Sequence, residues 1–205
     1  MRVNANPMDA RVRRSRRDLM DALEALLQEK NFGDITVKDI VERALVSKNT
    51  FYNNYPDKEA LLDDLFERHG EELRRSVDPE SMIKEGKDIR DIYRKCIALI
   101  VDYFYDTPSL SRKIIRNDHS KALYWAFERF IRKTTAKTVK LYADIVDIHL
   151  DEDVLTCFYA GGFANLVYFL LSSEQEKDRD FMVESLYEIT LPSFAFGRKE
   201  KKKGE

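Results

Sequence analysis

Glycine, proline and cysteine are scarce in this chain of 205 residues, which has 7 Gly, 5 Pro and 2 Cys. So few glycines and prolines argue against a sheet protein with many tight turns. The two cysteines, Cys96 and Cys157, lie in different apolar segments, with no Cys/His cluster around them. They predict neither a disulfide framework nor a zinc site, and two reduced thiols are typical of a cytoplasmic protein.

Positive charge is concentrated near the N-terminus. The net charge of the chain is −2, yet five arginines fall within the seven residues 11–17, "RVRRSRR". A basic cluster on an otherwise mildly acidic chain indicates contact with a polyanion. Composition alone is equally consistent with a solvated N-terminal arm.

The apolar segment 154–171 has 18 residues without a charge and is just long enough to be a candidate membrane span. Thr156, Asn165 and the pair Gly161–Gly162 argue against a span, and no second span accompanies it. A helix that is apolar on all sides is also typical of a subunit interface. The N-terminus lacks the apolar core of a signal peptide. We therefore expect no membrane contact.

Apolar residues recur at helical spacing along most of the chain. In the first predicted helix, 10–30, Leu19, Leu23 and Leu26 mark one apolar face. No segment alternates convincingly as a strand does. The sequence predicts an all-α protein with about nine helices, the others being 37–44, 48–54, 57–75, 88–106, a short helix to about 116, 119–148, 154–171 and 179–192.

The helices 37–44 and 48–54 are joined by about three residues, which is the spacing of a helix-turn-helix motif. The second helix of such a motif lies in the major groove of DNA. Thr36 and Asp39 predict a capping box for the first helix, and Ser47 predicts an N-cap for the second. Phe51 is expected to face inward and hold the second helix against its neighbours.

The remaining side chains of helix 48–54 suit contact with DNA. Asn49 and Asn53 are four residues apart, hence on one face, and asparagine can form two hydrogen bonds to adenine. Lys48 can neutralise a phosphate, and the Tyr52 hydroxyl can reach one. Thr50 is small enough for close approach, and can bond a phosphate or touch a thymine methyl.

The stretch 35–62, "ITVKDIVERALVSKNTFYNNYPDKEALL", resembles the DNA-binding signature of the TetR family of transcriptional regulators. The resemblance is clear over roughly residues 10–65. The matching positions are Thr36, Val37, Ile40, Ala44, Val46, Ser47, Thr50, Phe51, Tyr52, Tyr55, Lys58, Glu59, Leu61 and Leu62.

This resemblance implies a homodimer without catalytic activity, and nothing in the sequence suggests a cofactor, a metal site or a nucleophile–base pair. Each subunit would have a three-helix DNA-binding head, 1–56, joined by the fourth helix, 57–75, to a helical ligand-binding and dimerisation domain, 76–195. The basic tail, 196–205, is expected to be disordered. Family members usually repress by binding an inverted-repeat operator, and a small-molecule effector releases them.

The resemblance also implies sites. Lys58, at the start of the fourth helix, would hold a phosphate together with free backbone N–H groups. The full expected DNA-binding set is Arg13, Arg14, Arg17, Thr36, Lys48, Asn49, Thr50, Tyr52, Asn53 and Lys58. Tyr103, Trp125 and Phe158 are candidates for an effector pocket, although core packing explains each aromatic residue as well. Expected dimer contacts are Gly161, Gly162, Leu166, Phe169 and Leu186.

Two positions depart from the family pattern. Leu45 stands in the turn where glycine is common, and a left-handed backbone there would cost about 1–2 kcal/mol. We expect either a different turn or compensating packing of the Leu45 side chain. Asn49 also replaces a common glycine, and Lys48 is the only cation in 47–55. These departures leave room for an alternative function, a TetR-like coactivator or interaction scaffold that responds to a protein partner.

Overall fold

The computed structural model describes residues 7–106, 115, 118, 120–143, 151–173 and 177–190. These residues form nine α-helices and one 3-10 helix and contain no strand, which confirms the all-α prediction. The elements are α1 (Pro7–Glu29), the 3-10 helix (Phe32–Asp34), α2 (Val37–Ala44), α3 (Lys48–Asn54), α4 (Lys58–Ser76), α5 (Pro79–Lys84), α6 (Ile89–Asp106), α7 (Ala122–Ala143), α8 (Glu152–Ser172) and α9 (Arg179–Thr190). The predicted tail, 196–205, lies outside the described residues.

Helices α1 to α4 pack into an N-terminal head. The apolar face of α1, with Leu19, Leu23 and Leu27, is fully buried against the following helices. Ile40 of α2 and Phe51 of α3 are buried in the same core, so each short helix is held by an apolar side chain. This burial matters because helices of eight and seven residues are too short to be stable on their own.

Helix α4 connects the head to the rest of the molecule. Its buried face includes Leu61 and Leu65, and Gly70 lies where α4 meets α7. A Cβ atom at Gly70 would fall 2.1 Å from Cε2 of Phe130, so glycine allows this ring to lie directly against the α4 backbone. Helix α7 is thereby placed in close contact with the helix that enters the head.

Two ion-pair contacts reinforce the packing of α7 on α4. The Arg129 guanidinium donates to both carboxylate oxygens of Asp63, with a shortest distance of 2.6 Å. One turn later, Lys133 Nζ lies 2.7 Å from Glu67 Oε1. These pairs add to the apolar contact between α4 and α7, where the centroids of the Phe66 and Phe127 rings lie 6.1 Å apart.

In the C-terminal part, α8 packs against both α7 and α9, and α9 also packs against α6. Leu186 of α9 is 0% exposed and belongs to the core of the single chain. The prediction that Leu186 contacts a second subunit is therefore wrong, because its own chain already covers it. Gly162 and Phe169 are exposed, whereas Gly161 and Leu166 are partly exposed.

Helix α8 is long and apolar enough to cross a membrane, and among the described residues it is the one helix with this length and composition. Within its most apolar window, 44% of the residues are buried inside the chain. Buried core helices of soluble proteins pass the same test. The inner half of α8 supplies Ala160, Phe163 and Val167 to the core.

Candidate nucleic-acid interface

Helix α2 begins with the predicted capping box. The backbone N–H of Asp39 donates to Thr36 Oγ1 at 3.2 Å, and the backbone N–H of Thr36 donates to Asp39 Oδ2 at 2.7 Å. Lys30 Nζ lies 2.9 Å from the same carboxylate oxygen. The hydrogen bond from Lys30, followed by those from Thr36, holds the pKa of Asp39 well below its usual value. Thr36, an expected DNA contact, thus uses its hydroxyl to start α2.

The turn between α2 and α3 is left-handed at Leu45. Leu45 has φ 55° and ψ 39°, and its side chain is 91% exposed. The next residue, Val46, donates its N–H to the carbonyl of Val41 at 3.0 Å, which closes the end of α2. Both expectations for Leu45 were wrong, because the backbone adopts the glycine-type conformation and no packing of the side chain offsets the strain.

Helix α3 begins at the predicted cap. Ser47 Oγ accepts from the backbone N–H of Thr50 at 3.0 Å and lies 2.9 Å from Thr50 Oγ1. The Thr50 hydroxyl is thus engaged within the helix. Phe51 is buried as predicted, and Asn54 closes the helix by donating from Nδ2 to the Thr50 carbonyl at 2.7 Å.

The solvent-facing side of α3 is formed by Lys48, Asn49, Tyr52 and Asn53, all of which are exposed. The Tyr52 ring meets Phe51 edge-on, with ring centroids 5.4 Å apart, so its hydroxyl-bearing end projects from an anchored base. A helix 7 residues long therefore presents two amides, an ammonium and a phenol on a surface held from behind. These are the groups that can bond base edges and phosphates.

Lys58 lies elsewhere than expected. Its ammonium donates to the carbonyl oxygens of Phe32 at 2.8 Å, Gly33 at 3.3 Å and Ile35 at 2.7 Å. It also lies 4.6 Å from the centroid of the Phe32 ring. Since an ammonium has three N–H donors, this arrangement uses all of them inside the head. The expected phosphate contact of Lys58 is therefore corrected to a contact that holds the 3-10 helix.

The arginines of α1 fall into two groups. Arg13, Arg14 and Arg17 are exposed, and the last two lie 3.8 and 3.6 Å from carboxylate oxygens of Asp18. Such exposed pairs are weak, so these cations remain able to meet phosphate. Arg16 instead turns toward the head. This inward position of Arg16 was not predicted, although the spacing of Arg16 from Leu19 and Leu23 places it beside the apolar face of α1.

Arg16, Tyr55 and Asp64 form a hydrogen-bonded triad where α3 ends. The Tyr55 hydroxyl donates to Asp64 Oδ2 at 2.5 Å, and Arg16 Nη2 donates to the same oxygen at 2.8 Å. Arg16 Nε lies 3.2 Å from both the hydroxyl and this carboxylate oxygen. Burial, aided by the Asp64 carboxylate, raises the pKa of Tyr55 far above its usual value, so the phenol remains a donor.

Residues 19–65, which contain α2, the left-handed turn, α3 and the start of α4, match the family model of bacterial regulatory proteins of the tetR family. The head of the chain is therefore similar to the DNA-binding region of the tetR family. The matched region begins at the buried face of α1 and ends just after Asp64, so it covers the head and excludes the C-terminal helices.

Two curated relatives are similar to the head of this chain. The uncharacterized HTH-type transcriptional regulator YxbF of Bacillus subtilis (strain 168) is 33% identical over 73 residues, which are 35% of this chain and 19% of that protein. The HTH-type transcriptional regulator EthR of Mycolicibacterium smegmatis is 35% identical over 80 residues, 35% of this chain and 37% of that protein. The chain therefore spans well under half the length of either relative.

The whole fold resembles solved structures of the family. Thermus thermophilus FadR, a TetR-family transcriptional repressor solved in complex with lauroyl-CoA, superposes with a TM-score of 0.63 at 18% sequence identity. The similarity covers 93% of this chain and 99% of that one. At this identity the similarity establishes the shared fold alone, including the arrangement of the C-terminal helices.

The three aromatic residues proposed for an effector pocket do not come together. Tyr103 lines a cavity of about 10 Å³ between α4, α6 and α7, beside His69. Trp125 and Phe158 are 53% and 71% exposed and lie on the surface of the single chain. Their proposed contact with an effector stays a prediction. Within the described ranges, no group of three or more His, Cys, Asp or Glu residues could hold a metal ion.

Proposed function

We propose that the protein is a cytoplasmic, homodimeric transcriptional regulator that binds an inverted-repeat DNA operator through α3. The observation that carries this proposal is the solvent-facing side of α3, where Lys48, Asn49, Tyr52 and Asn53 project from a helix anchored by Phe51. The match of residues 19–65 to the tetR family supports placing this helix in the major groove.

The two asparagines would read base edges and their neighbours would hold the backbone. Asn49 and Asn53 can each pair with the N6 and N7 atoms of adenine, so each half-site should contain adenine on one strand. Lys48 and Tyr52 would bond phosphates beside the groove. The exposed arginines of α1 would add phosphate contacts, and Thr36 would contribute from the N-terminal end of α2.

A second copy of the chain would cover an exposed apolar surface formed by α8 and α9. The large exposed side chains there are Val154, Phe158, Phe169, Phe181 and Ile189. Phe158 and Phe169 are separated by about three helical turns, so they follow one side of α8. Gly162 lies between them, with no atom within 4 Å of a Cβ placed there, which leaves room for a partner helix.

A small-molecule effector that releases the protein from DNA is the favoured mode of regulation, with repression as the default state. The Thermus thermophilus relative, which is named a repressor, was solved with lauroyl-CoA. Two cavities lined by described residues have volumes of about 10 Å³ each. Ligand sites usually have volumes of about 300–1,000 Å³, so either of these two cavities would have to widen to hold an effector.

A second candidate function is regulation by a protein partner, because Lys48 is the one cation of α3 and Leu45 departs from the glycine common in the family's turn. A coactivator or interaction scaffold would need no internal pocket. A stable complex with a cellular protein, together with DNA binding that no small molecule alters, would distinguish it from the effector-released repressor.

The test is binding of the full-length protein to the DNA upstream of its own gene and neighbouring genes, with unrelated DNA as competitor. We expect one fragment to be preferred and Asn49→Ala to weaken that preference about tenfold, because a bidentate contact to adenine discriminates by about 1–3 kcal/mol. Gln28 is exposed near the C-terminal end of α1, so Gln28→Ala is the matched control and should leave DNA binding unchanged. Equal binding to all fragments would refute sequence-specific regulation.

A further inference from the structure

The residue that ends α3 is held by both flanking helices. Tyr55 follows Asn54 directly, and its hydroxyl lies 2.5 Å from Asp64 of α4 and 3.2 Å from Arg16 of α1. The guanidinium carbon of Arg16 also lies 5.3 Å from the centroid of the Tyr55 ring. One phenol thus connects three of the four helices of the head.

Every group of this triad has a defined partner. Asp64 Oδ2 accepts from the Tyr55 hydroxyl and from Nε and Nη2 of Arg16. The Tyr55 ring is buried and tilted against Phe51, with centroids 6.0 Å apart. Ring packing therefore holds the base of the side chain, and the triad determines where its hydroxyl end lies.

The opposite end of α3 is joined to α2 by a backbone turn, and within the described residues no side-chain hydrogen bond there reaches another helix. There, Ser47 bonds only within its own helix, to Thr50, and the preceding Leu45 adopts a left-handed conformation with an exposed side chain. Local capping starts a helix but does not orient it relative to other helices. Side-chain contacts to other helices therefore hold α3 at Phe51 in its middle and at Tyr55 at its end.

We propose that the Tyr55 hydroxyl, held by Arg16 and Asp64, is the positioning contact that orients α3 for DNA recognition. The proposal rests on the proposed DNA-binding function. Tyr55 itself would not touch DNA, because its side chain is buried behind the exposed amides. Loss of the hydroxyl would let α3 tilt, and a tilt moves Asn53, two residues earlier, out of line with a base edge. Hydrogen bonds weaken steeply with misalignment, whereas charge contacts do not.

The test compares operator affinity with affinity for unrelated DNA. Tyr55→Phe keeps the ring and the charge and removes only the hydroxyl. We expect its operator affinity to fall about tenfold, since a hydrogen bond to a charged group is being lost. Affinity for unrelated DNA, which depends on phosphate charge, should stay within about twofold of the wild-type value.

Asp64→Asn separates positioning from charge. This change removes a negative charge from the DNA-binding head, so a purely electrostatic effect would strengthen binding to all DNA. Positioning predicts the opposite for the operator, a loss similar to that of Tyr55→Phe, because an amide cannot replace the carboxylate that accepts three donors. Stronger operator binding by Asp64→Asn would overturn the proposal.

Tyr93→Phe is the matched control for a lost tyrosine hydroxyl. The Tyr93 hydroxyl donates to Thr190, at 2.9 Å from the carbonyl oxygen and 2.7 Å from Oγ1, and joins α6 to α9 far from the head. Its loss should lower the melting temperature but leave the ratio of operator to unrelated binding unchanged. Amide hydrogen exchange should accelerate in α3 of Tyr55→Phe and not in α3 of Tyr93→Phe.

The outcomes are distinct. If the wild-type protein prefers an operator and Tyr55→Phe retains both that preference and wild-type exchange in α3, the positioning role is refuted while the regulator function stands. If the wild-type protein prefers no DNA sequence, the proposed function itself fails and this proposal fails with it. A tenfold loss confined to the operator, with faster exchange in α3, supports the positioning role.

Discussion

Leu45 is a site where a single substitution should stabilise the protein. It is one of two non-glycine residues with positive φ in the described part of the chain, and it ends α2 with φ 55°. An L-residue with a Cβ in the left-handed region costs about 1–2 kcal/mol relative to its preferred conformations. Glycine adopts that region freely, so Leu45→Gly should relieve the strain without changing the turn.

The expected gain is smaller than the strain itself. Glycine makes the unfolded chain more flexible, which opposes folding by about 0.5–1 kcal/mol. The lost side chain contributes little because Leu45 is 91% exposed. The difference is a net stabilisation of about 0.5–1 kcal/mol, which corresponds to a rise in melting temperature of about 1–4 °C for a chain of this size.

Thermal and urea unfolding at one fixed protein concentration would measure the change, since the stability of the proposed dimer would depend on concentration. Leu45→Ala is the matched control, because it shortens the side chain but keeps the Cβ that causes the strain. We expect Leu45→Ala to change the free energy of unfolding by less than about 0.5 kcal/mol. If Leu45→Gly lowers stability, the leucine side chain contributes packing that the exposed position does not suggest, and the reasoning is refuted.

Two further substitutions test contacts within the head. Lys58→Met keeps the apolar stem over Phe32 but removes the donors to three carbonyls; we expect it to reduce stability by about 1–3 kcal/mol. The slope of log affinity against log salt should not change, whereas a lost phosphate contact would reduce it by about 1. Asp39→Asn tests the capping box. In the folded protein the pKa of Asp39 is lowered, so the ionised carboxylate stabilises the fold at pH values above its ordinary pKa of about 4. This contribution to the free energy of unfolding declines as the pH falls below that value. Acid unfolding of this variant should therefore be flatter below about pH 4 than that of the wild type.

The local structure of the head could be predicted from sequence in detail. The bounds of α2 and α3 agree with prediction, as do the caps at Thr36 and Ser47. Capping is an interaction between residues three apart, so the residue types that form it are adjacent in the sequence. The inward position of Phe51 followed from the same short-range pattern.

The partners of long polar side chains could not be predicted. Lys58 donates to carbonyls that lie 23 to 26 residues earlier in the chain, and Arg16 binds Asp64 across 48 residues. Every residue has a backbone carbonyl, so residue types do not indicate which carbonyls Lys58 contacts. For Asp64, any of the five arginines in 11–17 could have been the partner. Only the packing of α1 against α4 decides which one does.

The orientation of the C-terminal helices was equally beyond sequence analysis. Helix α9 is apolar on more than one side, with Leu186 buried while Phe181 and Ile189 are exposed. Periodicity identifies apolar positions but not whether the same chain or a second copy covers them. The same ambiguity applies to Phe158, which is 71% exposed and which an effector site and a subunit surface would accommodate equally well.

The distribution of cations explains why the orientation of α3 would be important here. Several basic side chains of the head bind other groups of the protein. The pairs are Arg16 with Asp64, Lys30 with Asp39, Arg43 with Glu29, Lys58 with backbone carbonyls, and Arg68 with Asp21 and Glu24. Lys48 is the one cation of α3 itself.

A surface with so little charge would depend on the amides of Asn49 and Asn53 for much of its affinity. Attraction between charges falls only gradually with distance, so a cation-rich helix tolerates a small tilt. A bidentate amide contact requires donor and acceptor to be aligned and weakens steeply when they are not. Recognition through amides therefore requires a rigidly placed helix, and the triad of Arg16, Tyr55 and Asp64 supplies that rigidity at the end of α3 where Asn53 lies.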